Sequence, residues 1–169
     1  MVVPAVADMS APTVAVIGCG NTNRCDDGVG ARVVELLSQL PLPPTVTLFD
    51  SGTDGMAVMY RARGARRLVI IDARAPEGAP GSIYEVPGAV LAAPPPRSLN
   101  LHDFRWDHAL YAGLRIYGDA FPSEVSVYLI EAATLELGLG LSPPVEAAAR
   151  RVAARIALLL GPVPQAALF

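Results

Sequence analysis

Short continuous apolar runs alternate along this chain with apolar stripes at helical spacing, and turn residues separate them. Residues 13–18 form an apolar run closed by Gly18, which reads as a buried strand. Val29, Val33, Leu36, Leu37 and Leu40 then recur at helical spacing, and Pro41 ends the pattern. Residues 45–49 predict a second strand that runs into Asp50. Met56, Met59 and Tyr60 predict a short helix closed near Gly64. Residues 68–71 are a β-branched and leucine run, a third strand ending on Asp72. A loop rich in proline and glycine, 76–81, leads to a fourth strand over 82–86, and the proline-bearing stretch 88–100 reads as an irregular surface loop. A helix follows over 103–117, with Trp106, Leu110, Leu114 and Tyr117 in one stripe, and then a fifth strand over 125–130. Ser142 and Pro143 start a last helix whose stripe is Val145, Ala149, Val152, Ile156 and Leu159.

Strands that alternate with helices and read as solid apolar runs are buried on both faces. The expected fold is a three-layer α/β/α sandwich around a five-stranded, largely parallel twisted sheet. One domain, 13–160, accommodates it, with a loose arm at 1–12 and a tail at 161–169.

Composition narrows the class. The chain has 169 residues, 52% of them hydrophobic and 17% charged, enough apolar surface for one sizeable core and too little charge for disorder. A net charge of −3 argues against a nucleic-acid partner. No apolar run has the length of a membrane helix, and the start lacks a basic, apolar secretory pattern, so the expected location is the cytoplasm. Every basic residue among the thirteen is arginine, which reads as coding bias. Cys19 and Cys25 are too few to close a structural zinc site and read as reduced thiols.

The candidate chemistry gathers where strands end, the place at which open α/β sheets hold ligands. Asp26 and Asp27 follow the first strand, Asp50 ends the second, Asp72 ends the third, and His102 precedes the third helix. Two carboxylates and an imidazole suit a divalent metal and leave positions open for substrate or water. Each residue also has an ordinary structural explanation. An aspartate before a helix is often an N-cap, one after a strand often starts a turn, and a lone histidine often lies on the surface. Convergence on one rim of the sheet favours the site. Gly18 and Gly20 do not make a dinucleotide loop, because position 23 is Asn23 and acidic residues open the following helix.

Six blocks in order carry a resemblance to a known family. They are the glycine, Gly20-Asn21 and acidic-pair segment of 18–30, the segment 50–55, and the strand end 69–73. Pro80-Gly81, the histidine segment 98–102 and the closing segment of 131–143 complete them. Together they resemble the hydrogenase maturation endopeptidases over nearly the whole chain. The resemblance implies a peptidase, of aspartic type, that removes the C-terminal extension of a nickel–iron hydrogenase large-subunit precursor after nickel insertion. It implies metal contacts at Asp27, Asp72 and His102, with Asp27 and Asp72 also catalytic. Asp26, Asp50, Gly20, Asn21 and Gly28 would support the site or shape its loop. His108 is a rival to His102. The nickel would come with the substrate, the protein would keep no metal of its own, and zinc or cadmium would substitute in crystals. The partner would be the precursor, met by a monomer. A nickel-dependent chaperone that does not cut, or another hydrolase on this fold, is the alternative.

Overall fold

The structure, a computed structural model, describes residues 13–88 and 105–161. Five strands, β1 (Val14–Gly18), β2 (Val46–Asp50), β3 (Arg67–Arg74), β4 (Ile83–Pro87) and β5 (Glu124–Glu131), form one sheet in the order β2-β1-β3-β5-β4. β1, β2, β3 and β5 run parallel, and the edge strand β4 is antiparallel to β5. The helices are α1 (Val29–Ser38), α2 (Gly55–Ala62), α3 (Trp106–Tyr117) and α4 (Pro143–Leu160). The expected sandwich is therefore present.

Side-chain alternation along each strand divides the core into two layers. Val16, Val69, Ile71, Ala73, Tyr128 and Ile130 face α1 and α4, while Ala15, Ile17, Leu68, Ile70 and Val127 face α2 and α3. β2 lies on one side of β1 and β3 on the other, so the chain reverses its direction of winding between them. That reversal opens a crevice beyond the carboxyl ends of β1 and β3.

Several boundaries differ from the sequence reading. Asp72 does not end β3 but lies inside it, because β3 outruns β1. The last β1–β3 pair is Gly18 with Ile71, while Asp72, Ala73 and Arg74 pair with Leu129, Ile130 and Glu131 of β5. α1 stops at Ser38, leaving Leu40 outside it and exposed. The inward stripe of α2 is Val58, Met59 and Ala62, whereas Met56 and Tyr60 are exposed. On α3, Ala109 and Gly113 complete the stripe with Trp106 and Leu110, and Leu114 turns to solvent. Leu159 of α4 is likewise exposed, and Ala148, Ala153 and Ile156 are buried. Gly113 lies against the ring of Phe121, which a methyl group there would strike. The expected arm at 1–12, most of the loop at 88–100 and nearly all of the tail lie outside the described residues.

Candidate active site

A cleft of about 420 Å³ opens at the crevice between β1 and β3. Asp27 and Asp72 both line it, with Cys19, Arg74, Arg105 and Trp106. Alternation along the strands explains the arrangement. Asp72 continues the line of Leu68 and Ile70 on the α2/α3 side of β3, and Cys19 continues the line of Ala15 and Ile17 from β1.

The adjacent acids have separate jobs. Asp26 and Asp27 lie in a 3-10 turn, Cys25–Gly28, immediately before α1, and neither caps that helix. Asp26 is fully buried. Its carboxylate accepts hydrogen bonds from the backbone N–H of Ala133, Thr134 and Ser142 and from the Ser142 hydroxyl, at 2.6–3.2 Å. It thereby fastens the segment between β5 and α4 beside the cleft, and Ser142 spends its hydroxyl on Asp26 instead of capping α4. Asp27 faces the cleft instead, and its Oδ2 accepts the N–H of Asn21 at 2.8 Å.

Close backbone approach holds this turn in place. Gly20 has φ +117, and a methyl group on it would fall 1.8 Å from the carbonyl oxygen of Asp27, so only glycine fits there. Asn21 Oδ1 accepts the N–H of Asn23 at 2.9 Å, tightening the same turn, and Gly28 packs on Thr22. Cys25 adopts φ 45, an uncommon conformation for a side-chain-bearing residue, while its N–H donates to Gly138.

Asp72 is 5% exposed. Its Oδ1 accepts the N–H of Ala73 at 2.8 Å, and its Oδ2 accepts the Trp106 indole N–H at 2.7 Å and the Arg105 guanidinium at 3.0 Å. Burial pushes its carboxyl above the usual range, and the charge of Asp27 adds to that. Arg105, Trp106 and the Ala73 amide oppose it. Such a carboxylate gains more than an exposed one from a proton or a cation placed beside it. Cys19, buried next to it, is pushed up first by desolvation and then by the charge of Asp72, so it remains a thiol and a poor nucleophile.

The structure does not bring every sequence candidate to this cleft. Asp50 is exposed, turns its Oδ1 to the N–H of Gly52 at 3.0 Å, and borders a neighbouring depression with Gly28. His102 lies outside the described residues. His108 is in the first turn of α3, nearer the helix start than the sequence suggested, with its ring Nδ1 3.0 Å from Asp107. Among the described residues no group of three His, Cys, Asp or Glu side chains comes together as a metal site. Sequence reasoning passed over Arg105 and Trp106 as partners of Asp72. Their only signal was a pair of hydrogen-bond donors three and four residues beyond His102.

Comparison with known proteins bears on the sequence and the fold as a whole. The sequence profile described as hydrogenase maturation protease matches residues 31–158. The hydrogenase 2 maturation protease of Escherichia coli (strain K12) is 33% identical over 141 residues, which are 79% of this chain and 82% of that protein. Among solved structures, a hydrogenase maturating endopeptidase from Escherichia coli superposes with a TM-score of 0.71 at 26% identity, over 88% of this chain and 91% of that one. A [NiFe] hydrogenase maturation protease from Thermococcus kodakarensis shares the fold with a TM-score of 0.74 at 19% identity, over 91% and 96% of the two chains.

Proposed function

The chain belongs to the hydrogenase maturation protease family, and from that premise we propose that it removes the C-terminal extension of a nickel–iron hydrogenase large-subunit precursor after nickel insertion. It reads the metal that the precursor carries through Asp27, Asp72 and His102. The observation that carries this reading is the meeting of Asp27 and Asp72 in one cleft at the winding reversal, one presented by the turn before α1 and the other from within β3. Burial, with the charge of Asp27 adding to it, makes Asp72 costly to ionise, and a dication beside the two carboxylates would offset that cost. Asp54 also lines the cleft but turns its Oδ1 to the Ala57 N–H at the start of α2, so among the described residues two carboxylates are left for a metal and most of the coordination comes from the substrate and from His102.

Docking of the substrate-borne metal places the scissile bond beside a water molecule. A carboxylate takes a proton from that water, its oxygen adds to the carbonyl carbon, and the C–N bond breaks with the proton passed to the leaving amine. Asp27 and Asp72, which face that position, serve as base and acid. Asp26 keeps the β5–α4 segment still while this occurs, and Asp50 shapes the adjoining turn. The protein works as a cytoplasmic monomer without a resident metal.

Mass spectrometry of nickel-loaded precursor incubated with the protein tests the reaction. Loss of a C-terminal peptide is the expected result. Stable binding without mass loss would make the protein a chaperone, and neither effect would assign it to a different hydrolase.

A further inference from the structure

Among the described residues Asp72 has three hydrogen-bond donors, and they differ in how easily they leave. The Ala73 amide is backbone of β3 and cannot move away without breaking the strand. The Trp106 indole is 8% exposed and packed in the α2/α3 core layer. Arg105 alone has an exposed side chain, 62% accessible against 7% for that of Asp72. It sits at the residue before α3 with extended backbone, φ −87 and ψ 178, where a side chain swings without disturbing the helix.

The charges in the cleft point the same way. Among the described residues, two cationic side chains line it. Arg74 is committed elsewhere, with its guanidinium 2.6 Å from Glu77 and 4.3 Å above the Tyr84 ring. Arg105 is therefore the cation that balances Asp72, and it approaches the same oxygen, Oδ2, that Trp106 holds. A dication bonded to Oδ2 needs a lone pair now directed at a guanidinium, and even at Oδ1, which accepts the Ala73 amide, it would meet the repulsion of the guanidinium's charge.

The geometry points to Arg105 as the resident counter-ion of Asp72, a specificity-determining group that a metal must displace before Asp72 can bind it. This inference rests on the proposed reading of a substrate-borne metal and deepens it. A free ion must overcome a tethered guanidinium with only the few ligands this chain supplies. A metal already fixed in a docked protein adds the contacts of that protein, which offset the displacement. Arg105 thus biases the cleft against loose ions and toward a metal delivered on its substrate, and the released guanidinium swings into solvent.

The test uses zinc or nickel ion alone, without precursor, on the full chain. The single tryptophan, Trp106, shares Oδ2 with Arg105, so its fluorescence reports on events at Asp72 while calorimetry gives the affinity. Arg105→Ala should bind the free ion about fivefold more tightly or better, the scale of one partly exposed charge-assisted hydrogen bond. Arg105→Lys, which keeps the charge, should stay within about twofold of the original protein. In both, ion binding should change Trp106 emission, and adding Asp72→Asn to Arg105→Ala should abolish the gain. Equal or weaker binding by Arg105→Ala, including no measurable binding by either protein, overturns the inference, as does a gain that survives Asp72→Asn. Because no precursor is present, these outcomes are independent of whether the protein trims one. Failure to cut nickel-loaded precursor would defeat the functional reading while leaving the ion-binding result in place.

Discussion

The indole N–H of Trp106 donates to Oδ2 of Asp72 at 2.7 Å, joining the first residue of α3 to a carboxylate inside β3. The bond fixes the direction in which Asp72 faces the cleft, and it satisfies a buried donor that a tryptophan can ill leave unpaired. Trp106→Phe keeps most of the ring packing and removes the donor. A hydrogen bond to a buried charge contributes about 1.5–3 kcal/mol, so precursor cleavage should fall roughly tenfold or more in kcat/KM. Steady-state cleavage assays measure this, and unchanged kinetics would show that Asp72 needs no such support.

Asp26 and Asp27 should separate stability from activity. Asp26→Ala strands three backbone donors and the Ser142 hydroxyl at a fully buried position. It should cost on the order of 3–5 kcal/mol, seen in thermal or denaturant unfolding. Asp27→Asn should leave unfolding within about 1 kcal/mol of the original while abolishing cleavage, since Asp27 sits at the cleft and has one recorded hydrogen bond, from Asn21. His102→Ala should also abolish cleavage, and His108→Ala should have a much smaller effect.

Much of this was legible in the sequence, and what was not has physical causes. β1 and β3 are buried on both faces, so they read as solid apolar runs. The acidic pair stood out by adjacency, but adjacency could not say which acid turns inward. That depends on Ser142 and the amides of Ala133 and Thr134, distant in the chain and offering mainly backbone groups that leave no mark on composition. The place of Asp72 inside β3 depends on β5 continuing where β1 stops, a matter of register between strands. Arg105 and Trp106 meet Asp72 only because α3 packs against that side of the sheet. Met56 and Tyr60 misled because long apolar side chains on a short helix fit the stripe expected of a core face.

Glu131 supplies a pH dependence apart from the cleft chemistry. Buried at the end of β5, it accepts the N–H groups of Ala79 and Glu77 and the Tyr84 hydroxyl, and so holds the loop after Arg74. The Ala79 and Glu77 amides, in that order, hold its carboxyl below the ordinary value of 4.5, with Tyr84 and Arg74 adding. Folding therefore favours the ionised form. Its contribution is fully present above the unfolded value and is lost as pH falls through the depressed folded value. Melting temperatures followed from neutral pH into the acid range should drop less steeply for Glu131→Gln than for the original protein. Parallel curves would remove Glu131 from the acid response.

If the cleft reads a metal on its substrate, cleavage follows the nickel occupancy of the precursor. Asp27 comes from the turn before α1 and Asp72 from within β3, so without a metal to join them the scissile bond has no fixed place beside the carboxylates, and the advantage of proximity is lost. Purified precursor, nickel-loaded or nickel-free, is mixed with the protein and the mass of the large subunit is followed in time. The loaded form should be trimmed and the nickel-free form should stay intact even at high enzyme concentration. Equal trimming of both would contradict this, and would reduce Asp27 and Asp72 to an acid–base pair indifferent to metal.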